Sequence, residues 1–193
     1  MIGSAVGATA STLSFTGDRE LDITQYAITA SVGHVRPSRW SVRLALGAVL
    51  GGALEEDGRT HDIGPGVVGS ISVAKQWGIG AWFVTGSFAF AASRTTTRED
   101  VPGAPRAILI ATDFRLGAIA GRSFGSVSPY LLARGFGGPV PWRLDGMDVT
   151  GTDTHHYQLG AGASVVAPRG LTLVIDVAVL GERSASLGIA LRL

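Results

Sequence analysis

Apolar side chains alternate with small or polar ones along most of the chain. In 40–54, Trp40, Val42, Leu44, Leu46, Ala48 and Leu50 share one face, and Ser41, Arg43, Ala45, Gly47, Val49 and Gly51 share the other. The same period of two returns at 62–76, 106–122, 155–167, 171–181 and 184–193, and from Trp82 through Val84, Phe88 and Phe90. Period two marks a strand with two unlike faces, because successive side chains point to opposite sides. No segment repeats at 3.6 residues, so the pattern predicts an all-β chain, one domain over 1–193. Strands of about 10–15 residues exceed the 5–6 usual in soluble sheets and suffice to cross a bilayer at a tilt.

Four connections are short, at 36–39, 75–78, 122–127 and 168–170. Those at 17–22, 55–62, 94–106 and 137–155 are longer, and 182–184 is brief. Short turns at one end and long loops at the other predict a transmembrane antiparallel up-and-down β-barrel. Nine strands fall between residues 22 and 193, and residues 5–16 supply a tenth. Eight strands is the alternative, if the N-terminal stretch stays outside the sheet.

Charge placement supports a membrane. The chain is 46% hydrophobic and 16% charged, against roughly 25% charged in an ordinary soluble domain. Arg36, Arg39, Lys75, Arg122 and Arg169 sit at the short turns, and most other charges lie in or beside the long connections. Within the strands remain Arg43, Asp113, Arg115, Arg134, Asp176 and Arg192, and all but Arg134 fall on the small-residue face. The aliphatic face is left without an assigned charge, as lipid would enforce at about 2–4 kcal/mol per midplane Arg or Lys. The six would then form a charge network bridging the lumen, with Asp113 and Arg115 two apart on one strand and Asp176 diagonal to Arg192. The competing reading is a soluble ligand-binding β-barrel with its aliphatic face inward, whose surface of Gly, Ala and Ser would be a poor one for water.

Aromatic residues gather near both ends of the strands. Trp40, Trp77, Trp82, Phe124 and Tyr130 lie beside the short turns, and Trp142 and Tyr157 toward the long loops. Such belts are expected where rings settle at the two membrane interfaces. Tyr130, Leu132, Arg134 and Phe136 share a parity, so their strand either points aromatics inward or carries a bulge. The absence of Cys excludes disulfides and thiol chemistry, and a net charge of +1 offers no field for nucleic acid. No metal site or cofactor motif is present. Residues 1–6 have no basic n-region or apolar run, so no signal peptide is expected in this chain.

The terminal amphipathic stretch Leu187-Gly188-Ile189-Ala190-Leu191-Arg192-Leu193, with the pattern above, resembles the small bacterial outer-membrane β-barrel proteins. The resemblance implies a place in the bacterial outer membrane, contact with its lipid, and recognition of the last strand by the barrel-assembly machinery. Those proteins usually end in Phe or Trp, whereas this chain ends in Leu193. The expected role is a narrow pore or a structural and surface-interaction barrel. With four Arg to two Asp in the lumen, a pore would weakly favour anions.

One enzymatic alternative rests on Asp153-Thr154-His155, which is similar to the Asp-x-His pair of the omptin proteases. Asp153 would orient His155 to activate water, with Asp57 and Asp62 as the second acidic pair. A lipid-modifying enzyme would instead use His155 or His156 with Ser164. Adjacent strand residues point to opposite faces, which argues against His155 and His156 as joint metal ligands.

Overall fold

The computed structural model describes residues 1–15, 19–56, 59–144 and 147–192, with Leu144 in its backbone alone. Asp57 and Leu193 lie outside the described residues. Strand β1 spans Ile2–Phe15, β2 Arg19–Val35, β3 Trp40–Glu56 and β4 Arg59–Ile63. After Gly64 and Pro65 come β5 (Gly66–Ile79), β6 (Trp82–Glu99) and β7 (Arg106–Arg122). Next are β8 (Val127–Gly137), a hairpin of β9 (Val140–Leu144) and β10 (Met147–Asp153), then β11 (Tyr157–Val166), β12 (Leu171–Gly181) and β13 (Arg183–Leu191).

Ten of these strands close an antiparallel ring in the order β1, β2, β3, β5, β6, β7, β8, β11, β12, β13. The seam pairs β13 with β1, from Ile2↔Leu191 to Ala10↔Arg183. The turn expected at 75–78 falls instead at Gly80 and Ala81, because β5 runs on to Ile79. Gly80 there adopts φ +59, which glycine reaches without strain. In this ring Val6, Ile28, Leu46, Leu116 and Leu131 point outward and are exposed, while the alternate small and polar side chains point into the lumen.

The ring strands differ in length, with β1 and β5 at 14 residues each between a short and a long group. β8, β11, β12 and β13 contain 11, 10, 11 and 9 residues, about what a bilayer crossing needs. β2, β3, β6 and β7 contain 17, 17, 18 and 17. Their six to nine extra residues add about 20–30 Å along the strand at the usual rise. The β9–β10 hairpin stands in the gap above the short strands. β10 pairs with the end of β1, Leu13↔Asp153 to Phe15↔Gly151, and β9 meets β7 at Leu109↔Trp142. β4 bridges β3 and β6. A second ring therefore closes above the first, in the order β1, β2, β3, β4, β6, β7, β9, β10.

The segments 55–62, 94–106 and 137–155, expected as loops, are thus mostly strand. Asp62, Arg94, Arg98, Arg106 and Arg143 in them lie on the outward face. Inward, in and beside these segments, lie the buried Leu54, Ile63, Leu109, Val140 and Trp142, together with the buried His61, Thr95 and Thr97. The upper ring carries most of its charges outside and most of its large apolar side chains inside, the reverse of the ring below. On β3 the reversal needs a bulge, because Tyr26↔Gly51 is followed by Ala27↔Val49 and leaves Leu50 without a partner in the register. At Gly52 a Cβ would drive into the Thr24 carbonyl, so the bulge admits no larger residue there. Beyond the bulge Leu54 turns into the core.

Candidate functional site

The interior is built in two layers. Above lies an apolar core of Leu13, Phe15, Leu21, Val49, Leu54, Ile63, Leu109, Val140 and Trp142. Trp142 is 2% exposed, and its indole N–H donates to Thr97 Oγ1 at 2.8 Å. The Phe15 ring lies 5.7 Å from it, and the His61 ring meets it edge-on at 5.2 Å. β9 places Trp142 there because Val140 and Trp142 alternate with the exposed Pro141 and Arg143.

Below the core, a polar network runs along the wall from β7 to β13. Arg115 is the hub: its Nη2 lies 2.7 Å from Asp113 Oδ2, and its Nη1 donates to Glu182 Oε1 at 3.2 Å. Its guanidinium also stacks on Phe136, 4.7 Å from the ring centre. Gln158, fully buried on β11, donates to Glu182 Oε1 at 3.0 Å and accepts from Arg134 Nη1 at 2.9 Å. Arg134 faces Asp176 at 3.9 Å, and the Tyr130 hydroxyl donates to Asp176 Oδ1 at 2.6 Å. Removing any one charged partner would strand another in a poorly hydrated place.

Comparison with solved structures gives the fold. The translocator domain of the autotransporter NalP from Neisseria meningitidis matches with TM-score 0.54 and 13% identity, over 100% of this chain and 88% of that one. The transport unit of AIDA-I from Escherichia coli matches at 0.51 and 9%, over 100% and 90%. The beta domain of the Bordetella autotransporter Brka matches at 0.50 and 15%, over 97% and 98%. The chain has the fold of the bacterial outer-membrane β-barrels. No family model matches the sequence, and neither does any curated protein.

The barrel gathers four of the six expected lumen charges, Asp113, Arg115, Arg134 and Asp176, into the network. Arg43 and Arg192 stand apart. Asp176 pairs in register with Ser186, whereas Arg192 follows Leu191 beside Gly170 at the short-turn end, so the diagonal contact of Asp176 with Arg192 does not form. Arg43 is exposed near the same end, opposite Gly33. Glu182, Gln158 and Tyr130 complete the network and were not expected in it. Gln158 was visible as a polar residue on the small-residue face, but Glu182 read as a solvated turn residue.

Two expected interface aromatics face inward. Tyr130 shares the inward parity of Leu132 and Arg134 and bonds Asp176, which also settles β8 without a bulge. Trp142 belongs to the core, because the hairpin carrying it folds into the barrel wall. Trp40, Trp77, Trp82 and Phe124 are outward and exposed at the short-turn end, and Tyr157 is outward toward the other. Lys75 Nζ lies 5.5 Å from the Trp40 ring, and Arg122 stacks near both Trp82 and Phe124.

The proposed hydrolytic pair does not assemble. Asp153 is partly buried and bonds the Ser11 side chain; burial holds its carboxyl above the ordinary carboxylate range, against the opposing pull of that bond. His155 is exposed, with Nδ1 3.1 Å from Thr154 Oγ1 and its ring edge-on to Tyr157. Among the described residues no hydrogen bond joins Asp153 to His155. Asp62 sits on the outer face of β4. Ser164 lies eight residues along the strand from His156, about 25 Å at the usual rise, so they cannot act together.

Proposed function

We propose that this chain is a sealed outer-membrane barrel that serves as a structural and surface-interaction element rather than as a conducting pore. The supporting observation is the apolar core inside the upper ring. Eight strands leave an interior that side chains just fill, and here Trp142, Leu54 and Leu21 fill it, each at most 2% exposed. The polar lumen beneath is stoppered by this core. What the barrel then offers outside is the charged outer face of the upper ring, with Arg98, Arg106, Arg143 and Asp148 exposed. Outer-membrane lipid covers the aliphatic belt below, and the β13 strand is the segment the assembly machinery would read. The neighbours whose names speak of translocation or transport do not carry that role to this chain, since passage here requires the core to open.

Planar-bilayer recording of the reconstituted full chain tests the reading. The expected result is no steady conductance. A persistent ion-selective current from the unmodified chain would refute it and restore the narrow pore.

A further inference from the structure

We propose that the outer wall at the short-turn end, on the sector from β2 to β7, binds anionic phospholipid head groups of the leaflet on that side. The sector sets cations beside indole rings. The Arg36 N–H donates to the Trp40 carbonyl at 2.8 Å, and Trp40 pairs with Lys75, so Arg36, Trp40 and Lys75 cross β2, β3 and β5 in one row. The Lys75 ammonium lies 5.5 Å from the Trp40 ring and also donates to the Ser38 carbonyl. One hairpin on, Trp82 pairs with Arg122, whose guanidinium lies 5.4 Å from the Trp82 ring and 5.0 Å from that of Phe124. Trp77, exposed on β5, stands between the two groups. Indole rings settle at the level of lipid head groups, so the cations they carry are held at the depth of the phosphates.

The surface is one-sided in two senses. Around the barrel, the outward side chains toward the same end of β8, β11, β12, β13 and β1 are aliphatic, namely Val127, Val165, Leu173, Ile189 and Ile2. Apart from Arg169 in a turn, the outward basic charge is therefore confined to the aromatic sector. Along the barrel, the turns at 36–39, 79–82, 122–127 and 166–171 contain no Asp or Glu. Among the described residues no ion pair engages Arg36, Lys75 or Arg122. At the other end charges of both signs meet, as Arg19 does with Glu56 at 3.8 Å and Arg143 with Asp148 at 3.0 Å. Unmixed positive charge beside an aromatic belt complements a phosphate layer of net negative charge. Short turns face the periplasm in barrels of this kind, so the leaflet is the inner one of the outer membrane. Three other cations at this end are set apart from the lipid. Arg39 lies against Gly78 on the inner side of β5, and Arg43 and Arg192 occupy the small-residue face. The sector lies outside the wall, so the proposal stands whether or not the lumen conducts.

The tryptophans of the sector report on it. Trp40, Trp77 and Trp82 are exposed there, whereas Trp142, the fourth, is 2% exposed in the core. The test is fluorescence quenching of the full chain in bilayers of phosphatidylglycerol and phosphatidylethanolamine, with one or the other brominated on its acyl chains. Phosphatidylglycerol should be favoured beside the rings about fivefold, the scale of one basic side chain near an anionic surface. Arg36→Gln with Lys75→Gln and Arg122→Gln should bring the ratio near unity while heat-modifiable gel migration persists. Arg39→Gln with Arg43→Gln and Arg192→Gln removes the same charge from the inner side of the same end and should keep the ratio near fivefold. Equal quenching by the two lipids in the unmodified chain would overturn the proposal. So would a preference that survives the outward substitutions, or one lost equally with the inward ones. If the outward variant does not fold, the unmodified chain and the inward variant still decide.

Discussion

Replacing Trp142 by Ala should unlock the upper ring without dissolving the lower one. Truncating a buried Trp costs about 3–5 kcal/mol. The lost indole bond also leaves Thr97, 1% exposed, with an unpaired hydroxyl, which sets the expectation near the middle of that range or above. About 4 kcal/mol corresponds to a rise of roughly a thousandfold in the opening constant of whatever Trp142 holds shut. That unit is the β9–β10 hairpin with the β1 and β7 ends it pairs with, because β12 and β13 contribute nothing to the core around Trp142. Hydrogen exchange of the chain in detergent or lipid reads it directly. Amides of 140–144 and 147–153 should lose about three decades of protection, those of β12 and β13 should keep theirs, and intermittent conductance should appear in bilayers. Uniform loss of protection around the barrel would show that the two rings are not separable. Unchanged protection in the hairpin would show that Trp142 does not hold it.

Three further outcomes are expected. Leu46→Arg, on the exposed aliphatic belt at 64% exposure, should lower stability in lipid by about 2–4 kcal/mol, while the lumen-facing Ser72→Ala stays within about 0.5 kcal/mol; equal effects in denaturant titrations would mean the faces are reversed. Arg115→Ala should cost about 3–5 kcal/mol by stranding Glu182 and Asp113, and adding Glu182→Gln should recover part of it; additive losses in the same titrations would show that the pair is not coupled. Because the Asp153 carboxyl is held above its ordinary value, folding favours its protonated form, so its contribution is full below the ordinary carboxylate range and is lost as pH rises through the raised value. Asp153→Asn should therefore raise hairpin protection at neutral pH and flatten its dependence above the ordinary carboxylate range; a steeper dependence by hydrogen exchange would contradict this.

The lower ring was legible because alternation carries through every one of its strands with the aliphatic set on one side. The upper ring carries the same alternation with its polarity exchanged, and the exchange made it read as loop. In β2, Leu21 and Ile23 share parity with the lumen residues Gln25 and Ala27, so their inward direction followed from the sequence. What did not follow was that a lumen position should hold a large apolar group. Density of charge near Asp62, Arg98 and Arg106 reads as solvated connection, whereas it is the water-facing side of a strand. The hairpin was hidden for another reason. Trp142 looks like an interface ring by position, and only the pairing of β9 with β7 and of β10 with β1, both remote in sequence, turns it inward. Glu182 was lost in the same way, as a turn residue whose partner Arg115 lies 67 positions away.

The narrowing from ten strands to eight also accounts for where the charges are. A ten-stranded interior is wider than its side chains fill when those are Gly117, Ala89 and Ser87, so long polar residues can cross it and pair. An eight-stranded interior has no such room, and the inward positions on the same strands are close-packed and mostly apolar, with Thr97 bonded to Trp142. The sequence changes character where the width changes. On β7, moving up the strand, the inward series goes from Gly117 through Arg115 and Asp113 to Ala111 and Leu109, from spacer to ion pair to core. The ion pair sits at the rim where β12 turns into β13, and Arg115 reaches Glu182 across the gap that the hairpin overlies. That contact ties a long strand to the short-strand wall at the level where they part company. The network therefore fixes the outline of the opening, and the apolar hairpin closes an opening whose shape is already set.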